Sequence, residues 1–96
     1  MATIIVDLRR KKLYPFGMIT PEQSRAARGW LDWTQADLAE RANVSLSTIR
    51  DFEKGRRSPI KNNLEAIRLS LEMAGVTLLF RGDTPIGLQF RQGDAA

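Results

Sequence analysis

The side chains best equipped for chemistry in this chain are cations, and they come in two clusters. Arg9, Arg10, Lys11 and Lys12 run consecutively, and Lys54, Arg56, Arg57 and Lys61 fall within eight residues. The chemistry such clusters do is grip on a polyanion. An isolated charge run is ordinarily just solvated surface, but here the two clusters flank a helical stretch that is itself close to charge-balanced. Covalent chemistry has far less to work with. The chain contains no His and no Cys, which removes imidazole bases, thiol nucleophiles, disulfides and the usual zinc ligands together. An all-oxygen cation site would need a run of alternating Asp or Asn with a Gly, and none occurs. The carboxylates close enough in sequence to pair are Asp37 with Glu40 and Asp51 with Glu53. Neither pair has a nucleophile and base in evident reach. The expectation is a protein without catalytic residues, metal or cofactor.

Ninety-six residues make one domain with a single modest core. The net charge of +4 is by itself weak evidence for a nucleic-acid partner. No apolar run reaches transmembrane length. The IIV near the start is too short for a signal peptide and runs into RRKK. A cytoplasmic protein with no membrane partner is expected.

The elements that must position the cations centre on Thr34–Gly55, TQADLAERANVSLSTIRDFEKG. This reads as two short helices, about Gln35–Ala42 and Leu46–Lys54, around a tight turn. Thr34 and Ser45 are good N-caps, with Asp37 completing a box for the first. Trp33 with Leu38, and Val44 with Ile49, are candidate hydrophobic staples. Asn43 tolerates the left-handed conformation such a corner needs. Leu38, Ala39 and Ala42 on one helix, and Ile49 and Phe52 on the other, form small apolar faces that need the rest of the chain to hold them.

That support is legible on both sides. TPEQ at Thr20–Gln23 opens a helix with a cap, a Pro at the first position and a Gln closing the box. It should run to about Leu31 and bury Ala26, Ala27, Trp30 and Leu31. After GRRSPIK, with Gly55 as the helix stop, Asn62 and Glu65 predict a cap-and-box start for a further helix ending near Ala74. Leu64, Ile67, Leu71 and Ala74 share its core face. Leu69 and Met73 lie to one side, more apolar surface than a small monomer needs. Val76–Phe80 and Gly87–Arg91 read as strands around a turn at Arg81–Ile86. An isolated two-stranded ribbon is marginal, so it must pack on a helix, pair with a strand at Thr3–Leu8, or pair with a second copy. The over-apolar helix beside it favours a dimer. Residues 1–18 read as a basic arm with an N-terminal strand, 19–75 as the helical domain, and 76–96 as a dimerising hairpin with a frayed end. Met18, opening MITPEQ, is a candidate alternative start.

RAARGWLDWTQADLAERANVSLSTIRDFEKG, continued by LEAIRLSLEMAG, resembles the Xre/Cro-repressor family of helix-turn-helix DNA-binding domains over about Ile19–Gly75. TQADLAERA, the V-S turn, the T-I pair and the final E-x-G arrive in register. The resemblance implies a mainly α fold, a compact bundle of four to five helices, here with a C-terminal β-hairpin. It also implies sequence-specific binding of double-stranded DNA. The second helix of the motif then fits the major groove and presents Ser45, Leu46, Ser47, Arg50 and Asp51. Arg50 can donate twice to a guanine edge, and Asp51 can accept from a cytosine amino group. Leu46 stands where family members often carry Gln or Arg, and can offer only a methyl contact.

By the same resemblance Gln35 binds a phosphate and braces the recognition helix, with Thr34 and the helix N-terminus adding donors. Lys54, Arg56, Arg57, Lys61 and Asn62 would contact further phosphates. Arg28 and Glu53 match a partly buried ion pair of related repressors. The expected protein is a homodimeric bacterial or phage transcriptional regulator, a repressor on a palindromic operator. The alternative is an antitoxin that keeps the DNA-binding domain and neutralises a toxin protein through an appendage.

Overall fold

The computed structural model describes residues 4–7, 12–15, 18–82 and 84–91, with side chains from Met18 onward. Arg9–Lys11 of the expected basic arm and the Gly93–Ala96 end lie outside the described residues. So do Thr3 and Leu8 of the expected strand. Near the start, the backbone of β1 (Ile4–Asp7) pairs antiparallel with β2 (Lys12–Pro15) in a sheet separate from the C-terminal one. Four helices follow: α1 (Pro21–Leu31), α2 (Gln35–Ala42), α3 (Leu46–Glu53) and α4 (Lys61–Met73). A hairpin of β3 (Val76–Arg81) and β4 (Thr84–Phe90) closes the described chain. Among the described residues there is no fifth helix.

Three helices start where local chemistry dictates. The Thr20 hydroxyl accepts from the Gln23 amide while the Gln23 side chain accepts from the Thr20 amide. Thr34 and Asp37 make the same reciprocal pair at α2, and the Ser45 hydroxyl caps α3 through the Thr48 amide. Between α2 and α3 the chain turns through Asn43 in the left-handed region at φ 56°, which Asn tolerates because its short amide bonds locally. Asp32 makes the corresponding turn after α1 at φ 59°.

The fourth start departs from the expected Asn62–Glu65 box. Helix α4 begins two residues earlier, at Lys61, with Ile60 rather than Asn62 at the cap position and no side-chain cap bond. Glu65 is instead engaged by Arg68, whose guanidinium donates to it and to Glu72. A cap needs extended backbone, and the extended residue after Pro59 is Ile60, so Asn62 falls already inside the helix.

One core joins these pieces. Leu38, Ile49, Phe52, Leu64, Ile67 and Leu71 are fully buried, with Ile19, Ala27, Val76 and Leu78 around them. Helix α4 lies against α2, β3 against α4, and β4 along α1. The turn of the hairpin is tighter than the expected Arg81–Ile86, because the strands extend to Arg81 and Thr84. A register shift at Leu79/Phe80 bulges the ribbon, which bends and twists it over the bundle. Gln23 joins bundle to ribbon: its buried amide nitrogen donates to the Leu79 and Gly87 carbonyls, which face each other across the two strands.

Trp30 corrects the sequence reading. It is 57% exposed rather than core, and Ala26 beside it is exposed as well. The indole stacks on Phe90 of β4, centroids 4.0 Å apart and planes within 14°. Trp30 therefore anchors the ribbon's end to α1 instead of filling the bundle.

Candidate nucleic-acid interface

Helix α3 is eight residues long and its placement decides the site. Ile49, Phe52 and Glu53 point inward, which turns Ser47, Arg50 and the preceding Ser45 to solvent. Asp51 and Leu46 are half-buried. Leu46 also packs against the core cluster, so much of its side chain serves the bundle. The Ser45 hydroxyl lies 2.7 Å from the Thr48 hydroxyl and 3.1 Å from that of Ser47, a small hydroxyl chain over the first turn.

The inward end of α3 is locked by Glu53. Its carboxylate is buried and takes bonds from Arg28 Nε at 2.9 Å, Arg28 Nη2 at 2.6 Å, Ser24 Oγ at 2.6 Å and Gln35 Nε2 at 3.1 Å. The Arg25 guanidinium donates to the Glu53 backbone carbonyl. Burial alone would push the Glu53 carboxyl up. The bonds from Arg28, Ser24 and Gln35, with the Arg28 charge, outweigh it and hold the group below the ordinary glutamate range. Arg28 also donates to the Trp33 carbonyl at 3.0 Å, so one guanidinium ties α1 both to the start of the motif and to its end. Ser24 and Arg25 carried no signal in the sequence. They are a helical Ser and a helical Arg whose partner lies almost thirty residues away.

Gln35, half-buried at the first position of α2, thus has its amide nitrogen committed to Glu53. Thr34 is exposed with its hydroxyl on the Asp37 amide, while the Asp37 carboxylate accepts the Thr34 N–H. That bond, followed by the one to the Thr34 side chain and by the nearby Arg41 charge, holds the Asp37 carboxyl low. Arg41 itself lies over the Trp33 ring, 4.3 Å from its centroid.

Beyond α3 the chain folds back over it. Gly55 turns at φ 73°, a conformation a side chain would strain. The Asp51 carbonyl then accepts the N–H groups of Arg56 at 2.9 Å and Arg57 at 3.4 Å. Lys54, Arg56, Arg57, Lys61 and Asn62 are all exposed. Ser47, Thr48 and Asp51 of α3 meet Arg57, Ser58, Pro59, Ile60 and Asn63 around a groove of about 230 Å³. Of the expected contact residues the groove gathers Ser47, Asp51 and Arg57. Thr48, Ser58 and Asn63 join them without having been foreseen, because the fold of the loop brings them there. The first turn of α4 at this rim contains no acidic residue, so its field favours an anion.

A family model for helix-turn-helix domains of the Xre/Cro type matches residues 25–72, half of the chain. The chain belongs to that family. As a member of the Xre/Cro helix-turn-helix family it is a DNA-binding transcriptional regulator. The match spans α2 and α3 whole, all of α4 but its last residue and α1 from Arg25 onward, and it stops before the ribbon. No curated protein matches the chain as a relative. Among the described residues no helix is long and apolar enough to cross a membrane, and no group of His, Cys, Asp and Glu is arranged to hold a metal.

Proposed function

We propose that this regulator is a repressor that binds a palindromic operator as a homodimer in the cytoplasm of a bacterium or in its phage-infected host, reading the major groove with α3. The observation that carries the reading is the continuous outward surface of Ser45, Ser47 and Arg50. It runs past Asp51 into the groove rimmed by Arg57 and the uncapped start of α4. In this reading Arg50 and Asp51 select bases. Ser45 and Ser47 contact base edges or the adjacent backbone. Leu46, half-committed to the core, offers a methyl contact. Thr34 and Gln35 meet a phosphate at the start of α2, with Gln35 held in place through Glu53. Lys54, Arg56, Arg57, Lys61 and Asn62 hold phosphates along the flank.

Two half-sites should lie roughly 34–36 Å apart, one helical turn. A binding selection from genomic fragments tests this directly: a two-fold symmetric site with that spacing is expected, and a single asymmetric site would refute it. Arg50→Glu should abolish specific binding while the melting temperature stays unchanged, since Arg50 is exposed. Retained operator affinity would remove Arg50 from the readout.

A second reading is an antitoxin, supported by apolar surface away from the α3 face: Trp30, and Ile86, which is 53% exposed on the ribbon. A neighbouring open reading frame that is toxic alone and harmless when co-expressed with this chain would establish it. Absence of toxicity would leave the simple regulator.

A further inference from the structure

Helix α4 has two apolar sides. Leu64, Ile67 and Leu71 face the core and are buried. A second row holds exposed Asn62, Ala66, which is half-buried and also packs against the core, Leu69 at 48% exposure and Met73 at 83%. Their spacing is four, three and four residues, which is the repeat of a helix that packs along another helix. The stripe extends over three turns, roughly 16 Å. Among the described residues the other exposed large apolar side chains form no such row: Trp30 already stacks on Phe90, Ile60 lines the α3 groove, and Ile86 stands alone on the ribbon.

The charges beside the stripe say which partner it suits. Arg68 Nη1 lies 2.6 Å from Glu72 and Arg68 Nη2 lies 2.7 Å from Glu65. Lys61 adds its field to Glu65. Two cations therefore balance two carboxylates, and the bonds are made within the helix. The chain as a whole carries +4, so two copies repel each other overall. They meet at least cost where the net charge is zero and the charges are already tied down. The Arg68 pairs leave both carboxylates already engaged, so an unlike partner selected by cationic charge would find little here to select.

We infer that Ala66, Leu69 and Met73 form the seam of the homodimer, with α4 packed antiparallel on α4 of a second copy across a two-fold axis. The polar end of the stripe, Asn62, stays beside the α3 groove and free for DNA, while the apolar end closes the dimer. This inference rests on the dimeric reading above. It assigns that dimer to α4 rather than to the open edge of β4.

The absence of cysteine makes the test clean. Leu69→Cys, Met73→Cys and Ile86→Cys are made singly in the full chain and oxidised without DNA. A covalent dimer from position 69 or 73, but not from 86, is expected. Cross-linking at 86 alone, or at none of the three, overturns the inference. Met73→Glu should weaken self-association about tenfold or more in sedimentation, since it removes one large apolar contact from each copy. Its melting temperature in dilute, monomeric solution should be unchanged, because Met73 is 83% exposed. A Met73→Glu protein that dimerises like the parent counts against the seam. Because association is read without DNA, the outcomes separate. A dimer that ignores palindromes keeps the seam and loses the operator reading. A monomer that binds one half-site keeps the DNA reading and loses the seam.

Discussion

Glu53 shows how one buried side chain decides the geometry of a reading head. Four donors from α1 and α2 converge on it from Ser24, Arg28 and Gln35, so the exit of α3 is held against both earlier helices at once. Removing Arg28 leaves the carboxylate buried with only neutral donors. Arg28→Ala should therefore cost about 3 kcal/mol of stability in urea denaturation, as for other buried pairs that lose one partner. The pH dependence follows from the same contacts. In the folded chain the Glu53 carboxyl lies below its ordinary value of 4.5, and unfolding returns it there. The stability it contributes is fully present above about pH 4.5 and is lost as the pH falls through the lower, folded-state value. Glu53→Gln should accordingly be less stable than the parent at neutral pH. Its stability should also decline less on acidification, measured by denaturation curves from about pH 6 down to about pH 3.

At the scale of the element, the contrast among the helix starts is the informative feature. Thr20, Thr34 and Ser45 were legible as caps because each finds its partner three residues on, within reach of purely local reasoning. Helix α4 misled because Asn62 and Glu65 had the right spacing, while Pro59 and the backbone of Ile60 set the start two residues earlier. Trp30 misled for the opposite reason. Its partner, Phe90, is sixty residues away, and a periodicity that marks a side chain as apolar does not say whether a helix or a ribbon will cover it. The outward turn of Ser45, Ser47 and Arg50 was legible from the inward pull of Ile49 and Phe52. The groove with Thr48 and Asn63 was not, since it depends on how the loop returns. The uncapped start also yields a prediction. Ile60 is 68% exposed, so replacing it removes little packing. Ile60→Ser should raise stability by about 1 kcal/mol, read as a higher melting temperature. Ile60→Asp should stabilise similarly but weaken DNA binding, because its carboxylate would occupy the field the phosphate is meant to use.

For the whole molecule, the flank cations predict how binding responds to salt. If about half of Lys54, Arg56, Arg57 and Lys61 in each of two protomers neutralise phosphates, log K against log salt should slope about −4. Affinity should then fall roughly two orders of magnitude between about 50 and 200 mM salt. Arg57→Ala should make the slope shallower by about two units in the dimer, one per protomer, in titrations at several salt concentrations. A flat profile would mean that these residues are only solvated surface. On the proposed dimer, the +4 chain draws the protein to DNA while its charge-neutral α4 stripe would let two copies share it.

Gln23 belongs to both halves of this architecture. Its amide oxygen completes the opening of α1, and its amide nitrogen holds two carbonyls of the ribbon. The ribbon therefore cannot open without loosening the first turn of α1, and the two should exchange their amide protons with deuterium in a single event. Cutting the chain after Gly75, between α4 and the ribbon, would strip the covering from Gln23 and leave α1 fraying from its start. The heritable unit of this small regulator, in the sense of what must be moved together to graft its reading head onto another protein, extends from Met18 through Phe90.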